Sequence, residues 1–123
     1  MNSSIFFADT YALIEMIKGN KNYAHYTDSI LFTAKYNLME LYYQFLREDN
    51  ILDAERYLAK YSANILEIDT ETIRESMKFK FKNKNEKLSY CDCIGWAKAK
   101  ELGIPFLTGD AKFKEKENVT FVV

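Results

Sequence analysis

Proline, glycine, cysteine and histidine are all scarce here: one, four, two and one in 123 residues. With so little proline and glycine there is no stretch that reads as a linker, and the length suits a single domain spanning residues 1–123. The cysteines, Cys91 and Cys93, stand two apart. On a helix such residues point about 200° apart, so a bond between them is geometrically poor, and both read as reduced thiols, one of them in the core. The lone histidine, His25, leaves no Ser-His-Asp set and too few ligands for a zinc site, and reads as an ordinary surface or half-buried residue. No apolar run approaches the ~20 residues of a membrane span. Met1 to Ala8 lacks the basic start and the long apolar stretch of a signal peptide, so a cytoplasmic protein is expected. Nor is there an excess of either charge: 17 Lys and Arg face 18 Asp and Glu, for a net charge of −1. That balance argues against a protein that coats nucleic acid. It does not exclude an enzyme that cuts it, because acidic metal ligands offset basic contacts in the sum.

Apolar residues, by contrast, make up 48% of the chain, with nine Tyr and nine Phe, enough for a core without disulfides and too many for disorder. Ser4 to Ala8 reads as a buried strand, and Asp9-Thr10 opens a helix with Leu13, Ile14 and Ile17 at helical spacing, closed by Gly19-Asn20. A short helix over 22–26 and a strand over 30–33 follow. Leu38, Leu41, Tyr42, Phe45 and Leu46 mark a helix ending near Glu48, and Leu52, Ala54, Tyr57, Leu58 and Tyr61 mark another. Residues 64–68 read as a third strand, and Asp69 or Thr70 caps a helix through about Phe81. Lys82 to Lys87 reads as a loop, Ser89 caps a helix closed by Gly103, and strands are expected at 105–108 and 119–122. Strands alternating with helices predict an α/β domain, with a mainly parallel sheet and helices on both faces.

Two acids follow strands directly: Asp9 after the first and Asp110 after the fourth. Ligands of open α/β sheets bind beyond the carboxyl ends of strands, where strand order reverses. If the first and fourth strands are neighbours, both acids enter one crevice, and Glu40 and Asp92 on helices can face it. Clustered carboxylates suit Mg²⁺ or Mn²⁺, hard cations held through carboxylate, water and phosphate oxygen. Each acid also has a plainer reading. Asp9 and Asp110 fit helix N-caps, Asp92 fits a first helical turn, and Glu40 lies on the polar side of its helix beside Asn37, Gln44 and Arg47.

Four segments together resemble the motifs of the PIN domain family. They are Phe7-Ala8-Asp9-Thr10, Asn37-Leu38-Met39-Glu40-Leu41-Tyr42-Tyr43, the stretch from Leu88 to Ala97 around Asp92, and the stretch from Phe106 to Phe113 around Asp110. Their order, spacing and setting cover essentially the whole chain and are similar to the VapC-type toxins and their archaeal relatives. The resemblance implies a PIN-like three-layer fold with five parallel strands in the order 3-2-1-4-5. It implies Asp9, Glu40, Asp92 and Asp110 as catalytic residues around Mg²⁺ or Mn²⁺, and hydrolysis of an RNA phosphodiester by a metal-activated water. Thr108, and less readily Thr10, would orient a carboxylate or a water. It also implies a homodimer and an antitoxin partner. Two departures stand out: Lys112 where relatives carry another acid, and Gly95-Trp96 where they carry one on the third-motif helix. Both point to lower metal affinity or a weaker hold on a second metal, and Trp96 reads as core.

Lys78, Lys80, Lys82, Lys84 and Lys87, interleaved with Phe79 and Phe81, form the clearest basic stretch. Lys80, Lys82 and Lys84 are candidates for RNA contact, although a solvated helix end fits them equally. The tyrosines at 42, 43, 57 and 61 suit an interface as well as a core. Three functional readings result: an endoribonuclease acting as the toxin of a toxin–antitoxin pair, an RNA-processing nuclease outside such a pair, and an inactive PIN-like binding module. Retention of four acids argues against the last. A haloacid dehalogenase-type phosphatase also begins strand-Asp but needs a second Asp two residues on, where Tyr11 stands.

Overall fold

In the computed structural model, which describes residues 4–123, strand β1 (Ile5–Ala8) is the spine of the sheet. It pairs in parallel with β2 (Ile30–Phe32) on one side and β3 (Phe106–Thr108) on the other, and β4 (Val119–Phe121) joins β3. The order is β2-β1-β3-β4. A central parallel strand is buried on both faces, which is why β1 is a continuous apolar run rather than an alternating one. Side chains still alternate: Phe6 and Ala8 enter one core cluster and Phe7 the other.

Those two clusters join the sheet to the two outer helical layers. On the Phe6 side lie α1 (Thr10–Ile17), α2 (Lys35–Arg47) and α3 (Ile51–Ser62), contributing Leu13, Leu38, Leu41, Phe45 and Ala54. On the Phe7 side lie α4 (Thr70–Lys82) and α5 (Tyr90–Leu102), contributing Phe79, Cys93, Trp96 and Ala97. Trp96 is core, as expected: it is 6% exposed, stacks on Phe79 at 3.8 Å, and donates from Nε1 to the Glu117 carbonyl at 2.9 Å. Cys93 is buried, Cys91 is half-buried, and both thiols are free. His25 is exposed and packs on Tyr26. Among the described residues no helix is long and apolar enough to cross a membrane.

The expected five-stranded sheet is four-stranded among the described residues. The stretch at 64–68 forms only an isolated parallel bridge, Thr33 to Ile65, with hydrogen bonds Thr33 N to Asn64 O at 3.1 Å and Leu66 N to Thr33 O at 2.8 Å. The reason is lack of room. Ala34, though still extended, is already the N-cap of α2, so the chain leaves the sheet there, and Asp69 turns the other segment into α4 three residues after Leu66. The expected loop at 82–87 is tighter than a coil: α4 runs through Lys82, a 3-10 turn spans Lys84–Glu86, and Lys87 is left-handed at φ 55°. The short helix expected at 22–26 is a 3-10 segment, Lys21–Asp28.

Helix α5 packs closely on the sheet at residue 95, which is glycine. A Cβ there would lie 2.7 Å from the Phe7 ring and 2.9 Å from the Phe106 ring, both fully buried. Gly95→Ala should therefore destabilise the fold by roughly 1–3 kcal/mol through overpacking. A denaturant melt of the purified variant checks this, and an unchanged midpoint would show that the helix can lift freely. The same geometry explains one departure noted above, since a longer acid at position 95 would meet aromatic rings rather than the crevice.

Candidate active site

Each of the four acids is placed by an ordinary local rule. Asp9 ends β1 and N-caps α1, accepting from Ala12 N at 2.8 Å. Asp110 follows β3 after Gly109 and N-caps the 3-10 turn Ala111–Phe113, accepting from Lys112 N at 2.9 Å. Ser89 N-caps α5 by accepting from Asp92 N at 3.0 Å, which sets Asp92 in its first turn. Glu40 lies on the exposed side of α2. Because β1 and β3 are neighbours, Asp9 and Asp110 leave the sheet side by side at its carboxyl edge, where ligands of such sheets bind.

Two threonines stitch these acids together. Thr108 donates its hydroxyl to Asp9 Oδ2 and accepts from the backbone N of Asp110 at 3.0 Å. Thr10 donates to Glu40 Oε1 at 2.6 Å. Both threonines singled out in the sequence thus touch carboxylates, Thr10 as directly as Thr108.

The electrostatics are those of carboxylates buried against their preference. Burial is the chief cause that pushes Asp9 from the ordinary 3.8 up to about 7, against hydrogen bonds from Thr108 and Ala12 that pull it down; Asp92 and Asp110 add repulsion. Burial likewise pushes Asp92 up to about 6, with Asp110 and Glu40 adding to the rise and Lys112 opposing it. Lys112, standing where an acid was anticipated, thus supplies positive charge beside Asp92. Its ammonium also donates to the Lys87 carbonyl at 3.3 Å.

Sequence reasoning missed two members of this neighbourhood. The Cys91 thiol is pushed well up, chiefly by burial, and further by Glu40, Asp92 and Asp9, so it stays a neutral thiol among the acids. Asn37 is 1% exposed, and its Nδ2 donates to the Thr10 hydroxyl at 3.2 Å. A signal for Asn37 existed: it stands three residues before Glu40, on the same helix face.

Among the described residues no three His, Cys, Asp or Glu side chains stand at the spacing of a ready-made metal cage. The donor set nevertheless fits a hard cation. Every charged oxygen donor is a carboxylate, and Mg²⁺ or Mn²⁺ keeps several waters and needs only one or two carboxylates directly. Mutual repulsion among Asp9, Asp92, Asp110 and Glu40 is the charge that such an ion would relieve.

A parallel α/β sheet with acids at the carboxyl ends of its central strands defines the class. The PIN domain profile matches residues 6–119, and the chain belongs to that family. Solved structures agree on the fold. The chain is similar to a toxin–antitoxin complex from Klebsiella pneumoniae, with a TM-score of 0.72 and 19% identity over 96% of each chain. It is also similar to VapBC-1 from nontypeable Haemophilus influenzae, with a TM-score of 0.73 and 16% identity over 95% of this chain and 96% of that one. PAE2754 from Pyrobaculum aerophilum gives 0.67 and 16%, over 97% and 89%. No curated protein matches by sequence.

Proposed function

We propose that this PIN domain is a metal-dependent endoribonuclease, the toxin component of a toxin–antitoxin pair. The reading is supported by the acids at the carboxyl ends of β1 and β3, where Asp92 and Asp110 repel Asp9, and Asp110 and Glu40 repel Asp92, with Thr108 and Thr10 holding three of the four. These four acids would hold Mg²⁺ or Mn²⁺, which when bound supplies an activated water and stabilises charge on the phosphate. Thr108 holds Asp9 by donating its only hydroxyl proton, so the Asp9 oxygen it faces is kept as an acceptor. Thr10 does the same for Glu40. Lys112 offers the crevice a cation that can meet a phosphate oxygen.

The toxin role rests on the likeness to toxin–antitoxin complexes. An apolar groove of about 520 Å³ on α2, lined by Leu38, Met39, Tyr42, Tyr43, Leu46 and Leu58, offers a surface to an antitoxin or to a second copy of the chain. The direct test is incubation of single-stranded RNA with the purified protein in Mn²⁺ and in EDTA. Cleavage in the first alone supports the reading, and equal cleavage or none in both contradicts it.

The basic stretch divides in two. Lys80 is half-buried, with its ammonium on the Leu88 carbonyl and 4.7 Å from the Tyr90 ring centroid. Lys82 and Lys84 are exposed. Lys82→Ala with Lys84→Ala should weaken RNA binding and lower the salt slope by about 1–2, leaving the saturated cleavage rate unchanged. Lys80→Ala should act through stability instead. Binding titrations at several salt concentrations check this, and an unaltered slope would leave Lys82 and Lys84 as solvated side chains.

A further inference from the structure

We propose that Asn37 is the positioning residue for Glu40, acting through the Thr10 hydroxyl; the inference rests on the nuclease reading of the site. The hydrogen bonds form a directed relay. Asn37 Nδ2 donates to Thr10 Oγ1 at 3.2 Å, and Thr10 Oγ1 donates to Glu40 Oε1 at 2.6 Å. A hydroxyl has one proton to give. Its other acceptor within reach, the Asn37 carbonyl at 3.5 Å, is too distant to compete with Glu40. By occupying a lone pair of Thr10 from the far side, the amide turns the hydroxyl proton toward the carboxylate.

Burial supplies the second argument. Asn37 is 1% exposed, and its Oδ1 is a buried oxygen with no hydrogen-bond partner among the described residues. A side chain chosen only for packing would not leave an acceptor unpaired, since that costs stability. Leucine has nearly the same shape and no such atom. Glu40 itself is exposed, so nothing in the packing fixes its orientation. The relay ties an exposed carboxylate to the buried side of α2.

The test is a double-mutant cycle on the full chain with Asn37→Leu, Thr10→Val and the pair, read by RNA cleavage, Mn²⁺ calorimetry and a metal-free melt. Each single change should lower kcat about tenfold with KM little altered, as expected when a group that orients a ligand is lost. The pair should be no worse than Thr10→Val alone, in cleavage and in Mn²⁺ affinity. Asn37→Leu should melt at an equal or higher denaturant concentration than wild type. Losses that multiply to about 100-fold in the pair, or losses that track a lowered melt, would overturn the assignment. If Asn37→Leu does not fold, Asn37→Asp takes its place. Its carboxylate accepts the Thr10 proton and withdraws it from Glu40, so the same loss is expected, and full activity would overturn the relay. A wild type that neither binds Mn²⁺ nor cuts RNA would sink the nuclease reading and this inference with it; multiplying losses in an active protein would sink the inference alone.

Discussion

Glu40→Gln is expected to cut Mn²⁺-dependent RNA cleavage at least ~100-fold while leaving the metal-free protein as stable as wild type, within about 0.5 kcal/mol. The substitution keeps the shape of the side chain and an oxygen that can accept from Thr10, so only the charge is lost. Glu40 is exposed, which is why the fold should not register the change. A surface residue that matters this much to activity and this little to stability is what a helix lining a charged crevice presents. The check is one purified variant carried through a denaturant melt and a cleavage assay. Wild-type cleavage by Glu40→Gln would leave the site resting on Asp9, Asp92 and Asp110.

Asp9→Asn should move both quantities, and in opposite directions. Cleavage should fall by at least ~1,000-fold, because the most buried anion of the cluster is gone. Metal-free stability near pH 8 should rise by roughly 1–3 kcal/mol. The sign follows from linkage. Asp9 titrates at about 7 in the fold against an ordinary 3.8, so folding disfavours its charged form. Stability tied to this group is therefore fully present below about pH 4 and is lost as pH rises through about 7. Asp92, at about 6, adds a loss in the same direction over a narrower window. A shift of that size for Asp9 corresponds to ~4 kcal/mol at about 1.4 kcal/mol per unit. Weaker hydrogen bonds from Thr108 and Ala12 to a neutral amide offset part of it. Asparagine still caps α1 well, so the helix start is kept. Melts from pH 4 to 8 without metal should slope downward for wild type and be flatter for Asp9→Asn. An identical slope in both would mean that the Asp9 carboxylate is not held against its preference.

Most of the fold was legible because its elements carry local signals. Asp9, Asp69 and Ser89 are helix N-caps where the pattern placed them, and Gly103 ends α5 in the left-handed conformation. What failed was a length. Ile65-Leu66-Glu67-Ile68 has the composition of a strand, but pairing needs a partner, and β2 runs out at Thr33. No local pattern records how long a neighbour is. At the site, the plain reading of Asp9 and Asp110 holds, since each caps a helical turn, and the proposed functional reading is compatible with it. A cap fixes a carboxylate at the carboxyl end of a strand, so the two roles share one geometry. Asn37 reads in the sequence only as a polar neighbour of Glu40, because its contacts run between α1 and α2, joining residues 27 apart in sequence. Lys80 was grouped with Lys82 and Lys84 by charge alone, yet its neighbours Leu88 and Tyr90 hold it in place.

The central claim is that these carboxylates form a metal centre, and calorimetric titration of Mn²⁺ into the metal-free wild type, Asp9→Asn and Asp110→Asn tests it most directly. The expected result is saturable binding by wild type, with affinity reduced at least ~10-fold in each variant although both remain folded. Equal binding by all three proteins would remove Asp9 and Asp110 from the metal site and contradict the account.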